Sequence, residues 1–111
     1  MGIDAAVLSA PALSGFQRKF LRGQAHALQP VVWVGKDGLG ETLLQEVDRA
    51  LEDHELIKIK FNDHKERKAD LSEEIARETR STLAGMIGHV AIFYRPRAEV
   101  AKRVIVVPQR P

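Results

Sequence analysis

Val31 to Leu44, reading VVWVGKDGLGETLL, concentrates the residues of this chain that could meet a ligand. Gly35 and Gly38 allow a sharp bend or a close backbone approach, and Lys36 sets a cation at the tip. A helix opening just beyond offers unpaired N–H groups, so the stretch suits an anion. Asp37 puts an acid inside the same loop, which weakens anion binding without abolishing it. Arg18, Lys19 and Arg22 add charge upstream, and Lys58 and Lys60 add more from a later strand. Together they fit a phosphate grip of the kind that a GxxG loop makes on a nucleotide backbone. Without those basic surroundings, G-x-x-G would read as a structural tight turn.

Other chemistries fit less well. Gly38, Leu39 and Gly40 give the first half of a dinucleotide fingerprint, but Leu43 occupies its third glycine position. No G-K-[ST] follows a glycine at P-loop spacing. His26, His54, His64 and His89 fall on a helix, a helix end, a loop and a hairpin, and no pair has metal-ligand spacing. The carboxylates mostly fit exposed helical faces, so no catalytic pair emerges. No catalysis, metal, cofactor or small-molecule substrate is expected. Trp33 in a β-branched run and Phe16 and Phe20 on a helical stripe read as core, leaving Tyr94 beside Arg95 as the aromatic expected at the surface.

The elements that position these residues follow from periodicity. Ser14 and Gln17 have capping-box spacing, and a helix is expected from about Gly15 to Leu28 with Phe16, Phe20, Leu21, Ala25 and Leu28 inward. Pro30 starts a strand, Val31 to Val34, whose lack of polar alternation predicts cover on both faces. A second helix spans about Glu41 to Asp53. Glu55 to Phe61 forms a strand with Ile57, Ile59 and Phe61 on one side and Lys58 and Lys60 on the other, parallel to the first. Asp63 with Glu66 has the spacing of another capping pair, before a helix centred on Leu71 to Thr79. Ser81 to Ile87 and Val90 to Arg95 form a hairpin around Gly88 and His89. Val104 to Val107 is either a short edge strand or an extended tail.

With 111 residues, 44% apolar and 29% charged, the chain is one globular domain. It has no cysteine and no membrane-length apolar stretch, which leads to the expectation of a cytoplasmic protein. Charge is polarised along the sequence: net +4 from Ser14 to Lys36, −5 from Glu41 to Glu55, and +4 from Arg95 to Pro111. The two basic segments are expected to share a polyanion-facing side, with the acidic helix turned away.

Several stretches together resemble one family. Leu21-Arg22-Gly23-Gln24-Ala25-His26, Pro30-Val31-Val32 with Gly35-Lys36-Asp37-Gly38-Leu39, Ala50-Leu51 with His54-Glu55-Leu56-Ile57-Lys58, and Ile87-Gly88 with Tyr94-Arg95 are similar to the CRM domain, named for chloroplast RNA splicing and ribosome maturation. The likeness is strongest to its small stand-alone bacterial members, the YhbY family. It implies an α/β fold with a four-stranded mixed sheet and three helices in the order α-β-α-β-α-β-β, similar to the C-terminal domain of translation initiation factor three. It also implies RNA binding without catalysis, on precursors of the large ribosomal subunit. The expected RNA-binding residues are Arg18, Lys19, Arg22, Gly35, Lys36, Asp37, Gly38, Lys58, Lys60 and Arg95. Three departures stand out: Gly40 where the family usually has Thr, the acid Asp37 inside the loop, and Arg80 where a helix-ending glycine is typical.

The expected organisation is a flexible extension over 1–12, an RNA-binding domain over 13–95, and a basic tail over 96–111, acting as a monomer. A module that binds an assembly or translation protein through the sheet or the acidic helix, with incidental RNA contact, is the alternative.

Overall fold

The structure is a computed structural model and describes residues 10–109. The expected extension over 1–12 therefore lies mostly outside the described residues. Helix α1 (Gly15–Ala25) is opened by the capping box expected from sequence: Ser14 Oγ accepts from the Gln17 amide at 3.1 Å, and Gln17 Oε1 accepts from the Ser14 amide at 3.0 Å. It ends at Ala25, three residues before Leu28. Pro30 drives the preceding residues into extended backbone, and only a turn with Leu28 N–H on Ala25 O remains.

Strand β1 (Pro30–Val34), helix α2 (Glu41–His54) and strand β2 (Leu56–Phe61) make the parallel crossover. A 3-10 turn (Lys65–Arg67) leads to helix α3 (Lys68–Thr79), and β3 (Thr82–Ile87) with β4 (Val90–Tyr94) closes the sheet in the order β1-β2-β4-β3. The Asp63–Glu66 capping pair does not form. Asp63 Oδ1 instead accepts from the His64 amide, and α3 starts without a side-chain cap. Gly88, with φ 59, makes the hairpin turn.

The sheet has two unequal faces. On one, Val32, Val34, Ile57, Ile59, Phe61, Ala91 and Phe93 pack beneath α2 and α3, whose Val47, Leu51, Leu71 and Ile75 complete the core. On the other, α1 covers only part, through Leu21 and Ala25 against Leu56, Ala84, Ile92 and Tyr94. β1 is thus buried on one face alone: Val31 is 41% exposed and Trp33 51%. The expectation of double cover fails because α1 packs over β3, β4 and β2 and not over the edge strand β1. Phe16 is exposed, Phe20 half-buried, and Tyr94, expected at the surface, is buried under α1. Burial and then the nearby Glu55 charge raise the Tyr94 hydroxyl above its ordinary pKa, against the lowering effect of Arg103.

No helix among the described residues is long and apolar enough to cross a membrane.

Candidate nucleic-acid interface

Parallel β1 and β2 deliver their C-terminal ends to the same end of the sheet, and antiparallel β4 begins there. Three connections therefore meet: the loop after β1, the link from β2 to α3, and the β3–β4 hairpin. Val34 O accepts from both the Asn62 and Asp63 amides, and the Phe61 amide donates to His89 O, so the three are stitched together.

Gly35 to Gly38 forms a tight turn, with the Gly38 amide on Gly35 O at 3.1 Å. Gly38 has φ 65, and a Cβ there would lie 3.6 Å from His64 Nε2. That Nε2 donates to Lys36 O at 2.8 Å, so His64 latches the loop from the neighbouring connection. Its own φ of 53 is the left-handed value the latch demands. Gly35 differs: its φ is not positive, and a Cβ would meet nothing within 4 Å. Neither backbone conformation nor packing requires a glycine there. Lys36 and Asp37 are exposed at the tip, and Lys36 has no acidic partner among the described residues.

The basic residues of α1 divide by flank. Gln17 faces the C-terminal segment, donating to Pro108 O, whereas Arg22 reaches the other way to β3, where Nη1 donates to Ala84 O at 3.2 Å. Its side chain lies so close over Gly85 that any Cβ there would collide with it. Arg18 and Lys19 are exposed; Arg18 Nη1 also donates to Leu13 O at 2.7 Å. At 100° per residue, Arg18 stands on the Arg22 flank.

Between that flank and the loop end, one row of the sheet is open. Trp33 pairs with Lys60, Lys60 with Val90, and Val90 with Ile87, all on the α1 face beyond the reach of α1. Lys60 is exposed, and Ile87 is 62% exposed. Lys58 lies one row back, half-buried, with Nζ donating to Leu28 O at 3.0 Å, which ties α1's exit to the sheet. Lys65 and Lys68 flank the hairpin, where Lys68 Nζ donates to Gly88 O at 2.6 Å and to His89 Nδ1 at 3.1 Å. Partial desolvation first, then the ammonium groups of Lys68, Lys65 and Lys60, hold the His89 imidazole below its ordinary pKa.

Arg95 does not join this surface. Its guanidinium lies against α2 and the end of α3, with Nη1 on Asp48 Oδ1 at 2.7 Å and on Thr79 O at 2.8 Å, and Nη2 on Asp48 O and Glu52 Oε1. Arg97 lies alongside, donating to Glu52 O, Asp53 O and Lys102 O, where cations complement a helix C-terminus. The second basic segment and the acidic helix therefore face each other rather than opposite sides of the molecule. Sequence reasoning counted charges by segment and missed that two of the segments neutralise one another.

Glu55 was also missed. It is fully buried at the one-residue junction between α2 and β2, with φ 65, and its carboxylate accepts from the amides of Arg97 at 2.7 Å, Val104 at 2.8 Å and Ile105 at 3.0 Å. After the 3-10 turn Val100–Lys102, residues 103–109 carry no strand, and Ile105 and Val107 pack beside α1. The signal available was an acid set directly against Leu56 and Ile57 with no loop on either side.

A family model for the CRS1 / YhbY (CRM) domain matches residues 13–95. The chain belongs to the CRM domain family. CRM-domain relatives in the comparison include an RNA-binding protein of Haemophilus influenzae, 44% identical over 88 residues that make up 78% of this chain and 89% of that protein. A protein of Methanocaldococcus jannaschii named a probable RNA-binding protein is 37% identical over 101 residues, 88% of this chain and 75% of its own length. The solution structure of a hypothetical protein of Staphylococcus aureus, proposed to bind RNA, superposes with TM-score 0.75 at 34% identity, covering 87% of this chain and all of that one. The four-stranded mixed sheet with three helices is thus the CRM fold. The three departures from the family pattern have distinct outcomes, Asp37 lying exposed at the loop tip. Gly40 caps α2 without any side-chain bond, and Arg80 takes the left-handed helix-ending conformation, φ 57, despite its Cβ.

Proposed function

We propose that this CRM domain is a cytoplasmic, non-catalytic RNA-binding protein that docks on structured ribosomal RNA of large-subunit precursors during ribosome assembly. Lys36 and the backbone at Gly35 to Asp37 contact phosphate, Arg18, Lys19 and Arg22 extend the grip along α1, and Lys60 adds charge from the sheet. The observation that carries the reading is Gly35 itself. It is an exposed glycine that neither φ nor packing demands, next to a lysine without an acidic partner, in a loop held rigid by His64. Bare backbone at such a place lets a phosphate approach closely. The relatives named for RNA binding support the same ligand. Arg95 acts in this reading as a structural residue, because its guanidinium is taken up by Asp48, Glu52 and Thr79 O, and so does Lys58, half-buried one row back with its ammonium on Leu28 O. Arg18 and Arg22 each give one N–H to a carbonyl and keep their remaining donors for phosphate.

Affinity for a structured RNA measured between 50 and 300 mM salt tests the mechanism. About four phosphate contacts predict a log–log slope near −3, and Lys36→Ala weakens binding to all sequences while flattening the slope by about 1. A slope near zero removes the phosphate mechanism. Crosslinking in cells followed by sequencing of the attached RNA tests the target. Recovery of messenger or transfer RNA in place of large-subunit precursor RNA would redirect it.

A further inference from the structure

The open row of the sheet offers more than the charge of Lys60, because it holds the chain's one tryptophan. Trp33 is half exposed near the end of the edge strand β1, paired with Lys60 of β2 and set between Val32 and Val34, which are both buried. Its ring lies on the face that α1 leaves uncovered. The other aromatic rings of the sheet are spent internally: Phe61, Phe93 and Tyr94 are all buried. An exposed tryptophan on a rigid strand is costly to leave in water unless something covers it.

What covers it is set by the neighbours. Lys60 stands directly opposite Trp33 on β2, and Val90 and Ile87 continue the row as a flat apolar floor. Along β1, Gly35 follows Trp33 by two residues, about 7 Å at strand rise, with Lys36 just beyond. A planar apolar ring bordered by cations on two sides matches a partner that is itself planar and apolar with an anion attached. A nucleotide has that composition, with its base for the indole and its phosphate for the loop and Lys60. An apolar protein surface would leave Lys60 and Lys36 unmatched.

We propose that Trp33 is a stacking platform for one unpaired base of the bound RNA, so that the domain prefers a bulged or single-stranded nucleotide beside the helix whose phosphates it grips. This rests on the RNA-binding reading above and adds to it a preference that phosphate contacts alone would not give.

Because Trp33 is the sole tryptophan, its fluorescence reports the site in the unmodified full chain. Two RNA hairpins are compared, one fully paired and one carrying a single-nucleotide bulge, with binding followed independently by anisotropy of a label on the RNA. Both hairpins are expected to bind, but only the bulged one quenches Trp33 and shields it from acrylamide. Trp33→Ala weakens the bulged hairpin about tenfold and leaves the paired one unchanged, while Trp33→Phe restores most of the loss. Lys36→Ala weakens both alike and leaves the quench at saturation intact. Equal binding of both hairpins without quenching, and no loss in Trp33→Ala, overturns the stacking site while the phosphate reading stands. Failure of both hairpins to bind overturns both. A tryptophan shielded in the free protein and exposed on dilution shows that a second copy of the chain occupies the row, which also overturns the proposal. Should Trp33→Ala misfold, the quench and the Trp33→Phe variant decide the matter.

Discussion

Arg95 shows how a residue with the right chemistry for RNA can be committed elsewhere. Its guanidinium joins Asp48 and Glu52 of α2 to the last carbonyl of α3, with its side chain only 18% exposed while its acidic partners are largely in water. The bonds to carbonyl oxygens are the valuable ones, because exposed ion pairs contribute little. Arg95→Ala should therefore lower stability by about 1–2 kcal/mol in urea denaturation and leave RNA affinity within twofold. A large loss of affinity with unchanged stability would return Arg95 to the interface. Sequence could not show this commitment, since Asp48 and Arg95 are 47 positions apart and only the fold, which brings the end of β4 beside α2, joins them. The aromatic residues failed for a related reason. A β-branched run marks Trp33 as strand but not which face is covered, and Tyr94 is buried by a helix about seventy residues earlier in the chain. The glycine loop and the α1 cations, by contrast, were readable, because each depends on residues a few positions apart.

At the scale of elements, the α/β order was legible because every helix and strand announces its own period, and the Ser14 capping box fixed the start of α1. Lengths were less so. α1 stops short of Leu28, and its placement over Leu56, Ala84, Ile92 and Tyr94 leaves the row of Trp33 and Lys60 open. The C-terminal segment was the least readable element, having no period of its own. Its backbone is anchored instead by one carboxylate, that of Glu55, which accepts the amides of Arg97, Val104 and Ile105 in place of the water it lost on burial, with Gln17 on Pro108 O and the packing of Ile105 and Val107 beside α1 as secondary ties. An amide in its place offers one oxygen for three donors and turns an N–H towards the others. Glu55→Gln is thus expected to cost about 2–3 kcal/mol and to release the segment before the sheet. Hydrogen exchange should show the Val104 and Ile105 amides losing protection while the β2–β4 ladder keeps its own. If those two amides stay protected in the variant, something other than Glu55 holds the segment.

Across the whole molecule, the polarity visible in the sequence survives in altered form. The C-terminal cations Arg95 and Arg97 are laid on α2 and offset part of its acidic charge, while Lys36, Lys60, Lys65 and Lys68 at the loop end and Arg18 and Lys19 on α1 have no acidic partner among the described residues. His89 sits at that end and measures its potential. With its imidazole held below the usual 6.5 by lost hydration and by Lys68, Lys65 and Lys60, the folded protein binds this proton less readily than the unfolded chain does. The sign follows: its contribution to stability is complete above about pH 6.5 and is lost as pH falls through the lowered folded value. RNA phosphates at the same end would offset the three lysines and raise the His89 pKa in the complex, so proton uptake accompanies binding. Linkage then requires affinity to rise as pH falls from 7.5 to 5.5, with a proton resonance of His89 moving to higher pKa when RNA is added. His89→Gln should flatten that pH dependence and leave affinity at pH 7.5 nearly unchanged, because the neutral ring contributes no charge there. A wild-type affinity that stays level across this range, or a His89 titration that RNA does not move, would place the bound phosphates away from the hairpin and confine the interface to the loop and α1.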